Sequence, residues 1–323
     1  MTEQGSQDQQ KNACFRTTIG GQALIEGIMM RGPGKQAVVV RTSEGLTEKV
    51  DELKLVKERH PILGWPVIRG VVNFLDSMVK GMQALTYSAS LYEGEEGEAE
   101  EQPSKFEMWL EKKLGSEAAG RFFIGFAVFL GIVFSVGLFI LLPTVVAGLF
   151  SHILTSSIAR NLAEGALRIL IFLAYLWIMS FMKDMRRVFA YHGAEHKTIF
   201  CYEAGLDLTV ENVRRQPKHH PRCGTSFLFV VMIISILAFS LLQWSNVFVR
   251  ILTRLLLLPV VVGISYEINR YIGRHDNLFT KILTAPGLWL QNWTTNEPDD
   301  SMMEVGIRSL KLVIPEEKGA DTW

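Results

Sequence analysis

Cysteine is scarce in this chain of 323 residues: Cys14, Cys201 and Cys223 are the whole supply, and no CxxC pair occurs. So odd and sparse a set of thiols excludes a disulfide framework and fits a reducing compartment. Net charge is also absent. Lysine plus arginine and aspartate plus glutamate number 33 each, which excludes a strongly basic nucleic-acid binder and an acidic solvating chain. No nucleic acid is expected as a partner. The polar, Gly/Gln-rich stretch 1–21 has no apolar core, so no secretory signal is read there. From Phe122 to Ser151 charged residues are missing altogether, over a run longer than the roughly 20 apolar residues that cross a bilayer. This last absence excludes an ordinary soluble protein, although a hydrophobic content of 48% is unexceptional for the chain as a whole.

The pattern of what is present predicts a mainly α-helical polytopic membrane protein, with about four transmembrane helices and a small N-terminal β-meander on the cytoplasmic side. Residues 1–18 read as a disordered tail and 19–65 as the β module. Within it Ala23–Met30 is one apolar run, Arg31–Lys35 carries a Pro-Gly turn signal, Gln36–Arg41 is β-branched, and Leu46–Val50 adds a third strand. GPGK has the wrong spacing for a phosphate-binding loop and reads as a hairpin turn. The apolar side chains Leu24, Ile25, Ile28 and Met29 need a covering surface. Residues 66–92 form an amphipathic interfacial helix with Arg69, Asn73, Asp76, Lys80 and Gln83 along one face. That stripe faces either water or a polar cavity. An acidic linker spans 93–104, and Phe106–Leu114 reads as a short amphipathic lead-in to the membrane.

The membrane domain covers 105–270. Its first segment starts at Phe122 and meets Pro143, which kinks or ends it. The second, Ala166–Met182, has Arg168 at its start, where the side chain can snorkel outward. The third is Thr225–Trp244. The fourth, Val247–Tyr266, carries Arg250 and Arg254 near its beginning. The second and fourth are short for a span. Between the second and third lies the 183–225 loop, rich in lysine and arginine, whereas 151–165 holds only Arg160 and the Ser245–Asn246 hairpin none. The asymmetry places the large loop, both termini and the 271–323 C-terminal segment in the cytoplasm.

Chemistry concentrates in AYHGAEHKTIFCYEAG. With no proline between the second membrane segment and Gly205, one long helix with a glycine C-cap is predicted. On it His192 and His196 stand at i,i+4 with Glu195 beside them. This HxxEH order reverses the zincin HExxH: paired imidazoles bind a divalent ion, zinc above all, and the carboxylate serves as general base. Against this stands a polar helix face with a simple His–Glu hydrogen bond. A mononuclear site needs a third ligand. Glu203 lies about 10 Å further along the helix, whereas KHHPRCGTSF offers His220 or Cys223 just before the third segment. Glu26, inside an apolar strand, and Glu267, after the fourth segment, are weaker candidates that can pair with Arg31, Arg270 or other bases.

GGQALIEGIMMRGP, HGAEHKTIFCYEAG with LTVENVR and HPRCGTSF, and TTNEPDD together resemble the bacterial YqhQ-like family, over about Gly20 to Val313. The resemblance implies a multi-pass bacterial inner-membrane protein and a metal-dependent enzyme with no assigned reaction. Its motif falls on His192, Glu195, His196, Glu203, His220 and Cys223. Two readings follow. One is a membrane-bound metallohydrolase at the cytoplasmic rim, with Glu195 catalytic and a membrane peptide or lipid-linked group as substrate. The other is a non-catalytic assembly, regulatory or metal-sensing factor with a structural His/Cys cluster. In both, the lipid bilayer is a partner, and a membrane protein or a second copy of the chain is a further one. Transport is disfavoured, because four spans are few and no inverted repeat is evident.

Overall fold

A computed structural model describes residues 15–53, 61–93, 115–150, 156–240, 247–317 and 319–322. Most of the expected tail (1–14, with Cys14), the acidic linker from 94 onward, the 106–114 lead-in and the Ser245–Asn246 hairpin lie outside the described residues. The chain divides into two compact units. The first gathers Met1–Glu95, Leu176–Ile234 and Leu258–Trp323, the second Glu96–Tyr175 and Ser235–Leu257.

The first unit is built on an antiparallel meander of four strands, β1 (Gly20–Leu24), β2 (Gly27–Arg31), β3 (Lys35–Thr42) and β4 (Gly45–Glu52), in that spatial order. Three strands were expected. The Ala23–Met30 run divides at Ile25–Glu26, where Leu24 faces Gly27 across a two-residue turn. Glu26 is therefore a turn residue, not a strand residue, and adopts φ +50°, a conformation that disfavours side chains. Arg187 ion-pairs with its carboxylate and the Tyr191 hydroxyl donates to it at 3.1 Å, holding the turn. The RGPGK turn is as read: Arg31 pairs with Gln36, and Gly32 N–H donates to Lys35 O.

Helices cover both faces of the sheet, which is why β2 is buried at every position from Gly27 to Met30 instead of alternating. On one face Ile28, Met30, Ala37 and Val39 pack with Tyr191, Ala194 and Ile199 of helix α5 (Lys183–Glu203) and with Met303, Leu310 and Val313 of α10 (Asp300–Val313). On the other, Leu24, Met29, Val38 and Val40 meet Ala84 of α1 (Ile68–Glu93). The covering surface for the β module is thus α1, α5 and α10. The polar stripe of α1 does not simply face water. Asp76 ion-pairs with Arg31, Arg69 with Glu267, and Asn73 donates to the Tyr266 hydroxyl at 2.8 Å. Close approach of α1 to α8 (Val247–Arg274) requires Gly70 and Gly263: a methyl on Gly70 would sit 3.0 Å from the Gly263 Cα.

Between α4 (Ser157–Met179) and α5 the predicted long helix is broken. The last turn tightens, with Phe181 and Met182 N–H bonding Ile178 and Met179, and Met182 is extended (φ −69°, ψ 130°). Ser180 adds to the break by donating its hydroxyl to Trp177 O. At its other end α5 closes as expected on Gly205 (φ +66°). Leu206 N–H bonds Cys201 O and Gly205 N–H bonds Tyr202 O, the Schellman pattern. The 183–225 segment is therefore largely helical, with α6 (Val210–Arg214) following α5. The C-terminal segment likewise holds two helices, α9 (Leu278–Thr294) and α10.

Three described helical stretches are long and apolar enough to cross a membrane: Phe122–Leu149, Ile158–Met179 and Ile251–Arg274. The first comprises α2 (Ser116–Val136), a π-helical turn (Gly137–Leu141) and α3 (Leu142–Leu149). The second and fourth segments, expected to be short, come out at 22 and 24 residues, because polar side chains inside them extend the helices beyond the purely apolar core. The third, α7 (Gly224–Ser240), is apolar and is described as far as Ser240.

In the second unit Arg168 does not snorkel. It is buried, its Nε donating to Phe139 O at 2.9 Å. That carbonyl lies four residues before Pro143, which has no N–H to offer it. Proline thus leaves an acceptor inside an apolar helix and arginine fills it. Glu164 ion-pairs with Arg254 and lies 3.5 Å from Arg168, so one buried carboxylate serves two buried guanidinium groups. Thr144 bridges the pair, accepting from Arg254 at 2.9 Å.

Candidate metal centre

Helix α5 places His192, Glu195 and His196 on the face that looks into the first unit. Glu195 and His196 are buried, His192 partly so. The chain returns through His220 to Cys223, immediately before α7. One ligand atom each from His192, His196 and Cys223 lies within 4.8 Å of the others.

How the imidazoles are held decides what they can do. His192 Nδ1 lies 2.7 Å from Thr294 O and His196 Nδ1 lies 2.6 Å from Lys218 O. A carbonyl only accepts, so each Nδ1 carries the proton and each Nε2 of the neutral ring presents a lone pair. Both Nε2 atoms face the cluster. That of His192 is 3.1 Å from Cys223 Sγ, and that of His196 is buried with no hydrogen-bond partner. Metal-binding histidines are oriented in this way, and two imidazoles with a thiolate suit a zinc-like ion. The residues present therefore fit a divalent metal, and the orphaned Nε2 of His196 has no other evident use.

Electrostatics agree with this geometry. Burial opposes charge on His192, yet the Cys223 thiolate and Glu195 outweigh it and raise the imidazole to about 9. Burial likewise works against the Cys223 thiolate, but His192 and His196 beside it bring the thiol well below its ordinary value. The two groups thus favour each other's charged forms, and the thiolate that His192 favours is the form of sulfur that binds a metal. Glu195 is shifted the other way: burial raises its carboxyl, and the neighbouring histidines and Gly21 N–H, which donates to Oε1 at 3.0 Å, offset this only in part.

The other predicted residues sit elsewhere. His220 is buried beside the cluster, its ring centroid 5.6 Å from that of His196, but its Nε2 faces Arg222 at 3.3 Å and Glu203 at 3.7 Å. Burial lowers it to about 4, so it is neutral. Glu203 ion-pairs with Arg222 and accepts from Thr17 N–H at 2.8 Å, anchoring the N-terminal strand of chain. Glu26 serves the β1–β2 turn, and Glu267 pairs with Arg69, not with Arg270.

Several contributors carry no side-chain signature in the sequence. Thr294 and Lys218 act through backbone carbonyls. Gly193, within HGAEH, lets the Asn296 carbonyl lie against α5, where any Cβ would collide with it. Gln291 clamps the His220 backbone on both sides, its Oε1 accepting from His220 N–H at 2.7 Å and its Nε2 donating to His220 O at 2.8 Å. The TTNEPDD stretch is thus the strap over the site. Asn296 N–H bonds Phe189 O, and Glu297 ion-pairs with the buried Lys197.

No solved structure matches the chain significantly. The uncharacterized protein YqhQ of Bacillus subtilis (strain 168) is 34% identical over 302 residues, spanning 91% of this chain and 92% of that protein. The profile of a protein family of unknown function, DUF1385, matches residues 65–316. With three apolar helices, a four-stranded N-terminal meander and this extent of likeness, the chain belongs to the YqhQ-like family, DUF1385.

Proposed function

We propose that this is a multi-pass bacterial inner-membrane protein with both termini cytoplasmic, and that it carries a metal-dependent hydrolase site at the cytoplasmic rim of the bilayer. The observation that carries the reading is the convergence of two histidine Nε2 atoms, each fixed by a carbonyl behind it, on the Cys223 thiol. His192, His196 and Cys223 would hold the ion, zinc above all. When bound there, a divalent ion supplies Lewis-acid polarisation of a carbonyl or phosphoryl oxygen. Glu195 is the proton carrier. Burial raises its carboxyl above the ordinary carboxylate value, the direction that suits a group taking up and passing on a proton. Gly21 orients one carboxylate oxygen and leaves the other for the transfer. His220 and Glu203, with Arg222 between them, position the returning chain. Cys223 directly precedes an apolar helix, and α5 begins just after a candidate span. A membrane peptide or a lipid-linked group is therefore the substrate class, and a membrane protein partner or a second copy of the chain fits the same setting.

The second reading, a non-catalytic membrane factor with a structural metal cluster, draws on the depth at which His196 and Cys223 are buried. Metal analysis of purified full-length protein tests both. About one zinc-like ion per chain is expected, lost in His192→Ala/His196→Ala. Glu195→Gln is expected to keep the ion and lose turnover. Wild-type protein without metal after careful reconstitution would end the metalloenzyme proposal, and full function in Glu195→Gln would favour the structural factor.

A further inference from the structure

On the first unit, helix α8 is bordered by clefts that share no residue with the candidate metal centre. One face of this helix changes character towards the end of the candidate span Ile251–Arg274. Ile264, Ile268 and Tyr271 follow at helical spacing, with Arg270 and Arg274 one turn apart at the end. Two clefts open along this stripe and share Glu267 and Tyr271. The larger one, of about 410 Å³, is walled by Val67, Ile264, Ile268 and Phe279. The other, of about 310 Å³, is ringed by Arg69, Arg270, Arg274 and His275.

Charge in the second cleft is unbalanced. Its single carboxylate, Glu267, is taken by Arg69. Asp276, the next acid along the chain, is taken by Arg16 and Lys281. Arg270 acts on the Glu267 carboxylate only from a distance, and among the described residues neither Arg270 nor Arg274 makes an ion pair of its own. The apolar cleft is equally incomplete. Leu278 is 74% exposed and Ile282 62% exposed beside Phe279 on α9, and Trp65 is 61% exposed at the approach to α1. Val67, at the head of α1, holds φ +69°, a strained conformation for a β-branched residue of the kind that clusters at ligand sites.

We infer that the two clefts together bind one anionic phospholipid, its phosphate between Arg270 and Arg274 and an acyl chain along Ile264, Ile268 and Phe279. Ile264 lies about 15 Å from Arg274 along the helix, so apolar and basic ends are separated on the scale of a headgroup and the start of its chain. Basic pockets at the ends of membrane helices select anionic lipid by charge. The apolar half is what distinguishes a lipid from free phosphate. The site is independent of the metal centre.

Native mass spectrometry of the full-length protein in detergent tests this with three probes: dioleoyl phosphatidylglycerol, dioleoyl phosphatidylcholine and glycerol 1-phosphate. Phosphatidylglycerol is expected to bind at least tenfold more tightly than either of the others. Arg270→Gln/Arg274→Gln is expected to weaken it about thirtyfold, at roughly a fivefold loss per arginine, with the thermal midpoint unchanged. Ile264→Trp, which fills the apolar cleft, is expected to weaken phosphatidylglycerol while leaving glycerol 1-phosphate as it was. Equal binding of the two lipids, or unaltered phosphatidylglycerol binding in the double arginine variant, overturns the inference. Glycerol 1-phosphate binding as tightly as the lipid overturns it too, in favour of a free-phosphate site.

Discussion

His192 and Thr294 are 102 residues apart in sequence, and the Nδ1 of one lies 2.7 Å from the carbonyl oxygen of the other. Through that bond the C-terminal end of α9 decides which nitrogen of His192 faces Cys223. A backbone atom far along the chain therefore sets the chemistry of the HxxEH helix.

Gly193→Ala tests this relationship. In a free helix the change favours helicity by about 1 kcal/mol. Here the new methyl would strike the Asn296 carbonyl and push the strap from α5, loosening the hold of Thr294 on His192. Loss of such an orienting bond typically costs 10–100-fold in metal affinity, and a fall of about tenfold is expected in a chelator competition. Unchanged affinity would show that the strap does not orient the ligand.

Glu164→Gln should be among the most damaging single changes in the second unit. It leaves Arg254 and Arg168 buried without their shared carboxylate. Removing one partner of a buried pair costs about 3–5 kcal/mol, read as a lower midpoint in denaturation of the detergent-solubilised protein. A change below about 1 kcal/mol would mean that water or lipid reaches the two arginines.

Asp299 caps α10, accepting from Met302 N–H at 2.9 Å, and its carboxyl is lowered because Ser301, Met302 and Arg187 outweigh the cost of burial. A lowered folded value means that this stabilisation is full above the ordinary aspartate range and is lost as pH falls through the folded value. Asp299→Ala is expected to cost about 1 kcal/mol at pH 7, with the gap to wild type narrowing on acidification below pH ~4. Asp299→Asn keeps an acceptor and should show neither effect in full. A gap that widens in acid would contradict the assignment.

The orientation is tested by cysteine labelling in whole cells. Lys218→Cys should be reached only from the cytoplasm and positions near Ser157 only from outside, following the lysine and arginine asymmetry of the loops. Labelling at 218 from outside reverses the topology and removes the cytoplasmic placement of the metal centre.

Side-chain chemistry was legible in the sequence, and backbone chemistry was not. The i,i+4 histidines, the carboxylate between them and the returning Cys223 could be read because their residue types are rare in such company. Thr294, Lys218, Gly21 and Asn296 act through carbonyl or amide groups that every residue possesses, so no residue type marks them. The meander and its RGPGK turn were readable, but the turn at Ile25–Glu26 was not, because burial on both faces removes the alternation that separates one strand from two. Arg168, at the start of its predicted segment, reads in the sequence as a side chain that can snorkel outward. Its need for burial arises from Pro143, 25 residues earlier (168 − 143), whose effect on Phe139 O appears only once the helices are side by side.

The candidate metal centre draws on residues far apart in the sequence. Gly21 holds Glu195, Thr294 holds His192, and Thr17 bridges to Thr322 while donating its N–H to Glu203. During synthesis the three apolar helical stretches are made before residue 294. The HxxEH helix therefore waits, with its first histidine unoriented, until Thr294 has been made. A chain cut short before that residue would carry both histidines of the motif without the carbonyl that fixes the first of them.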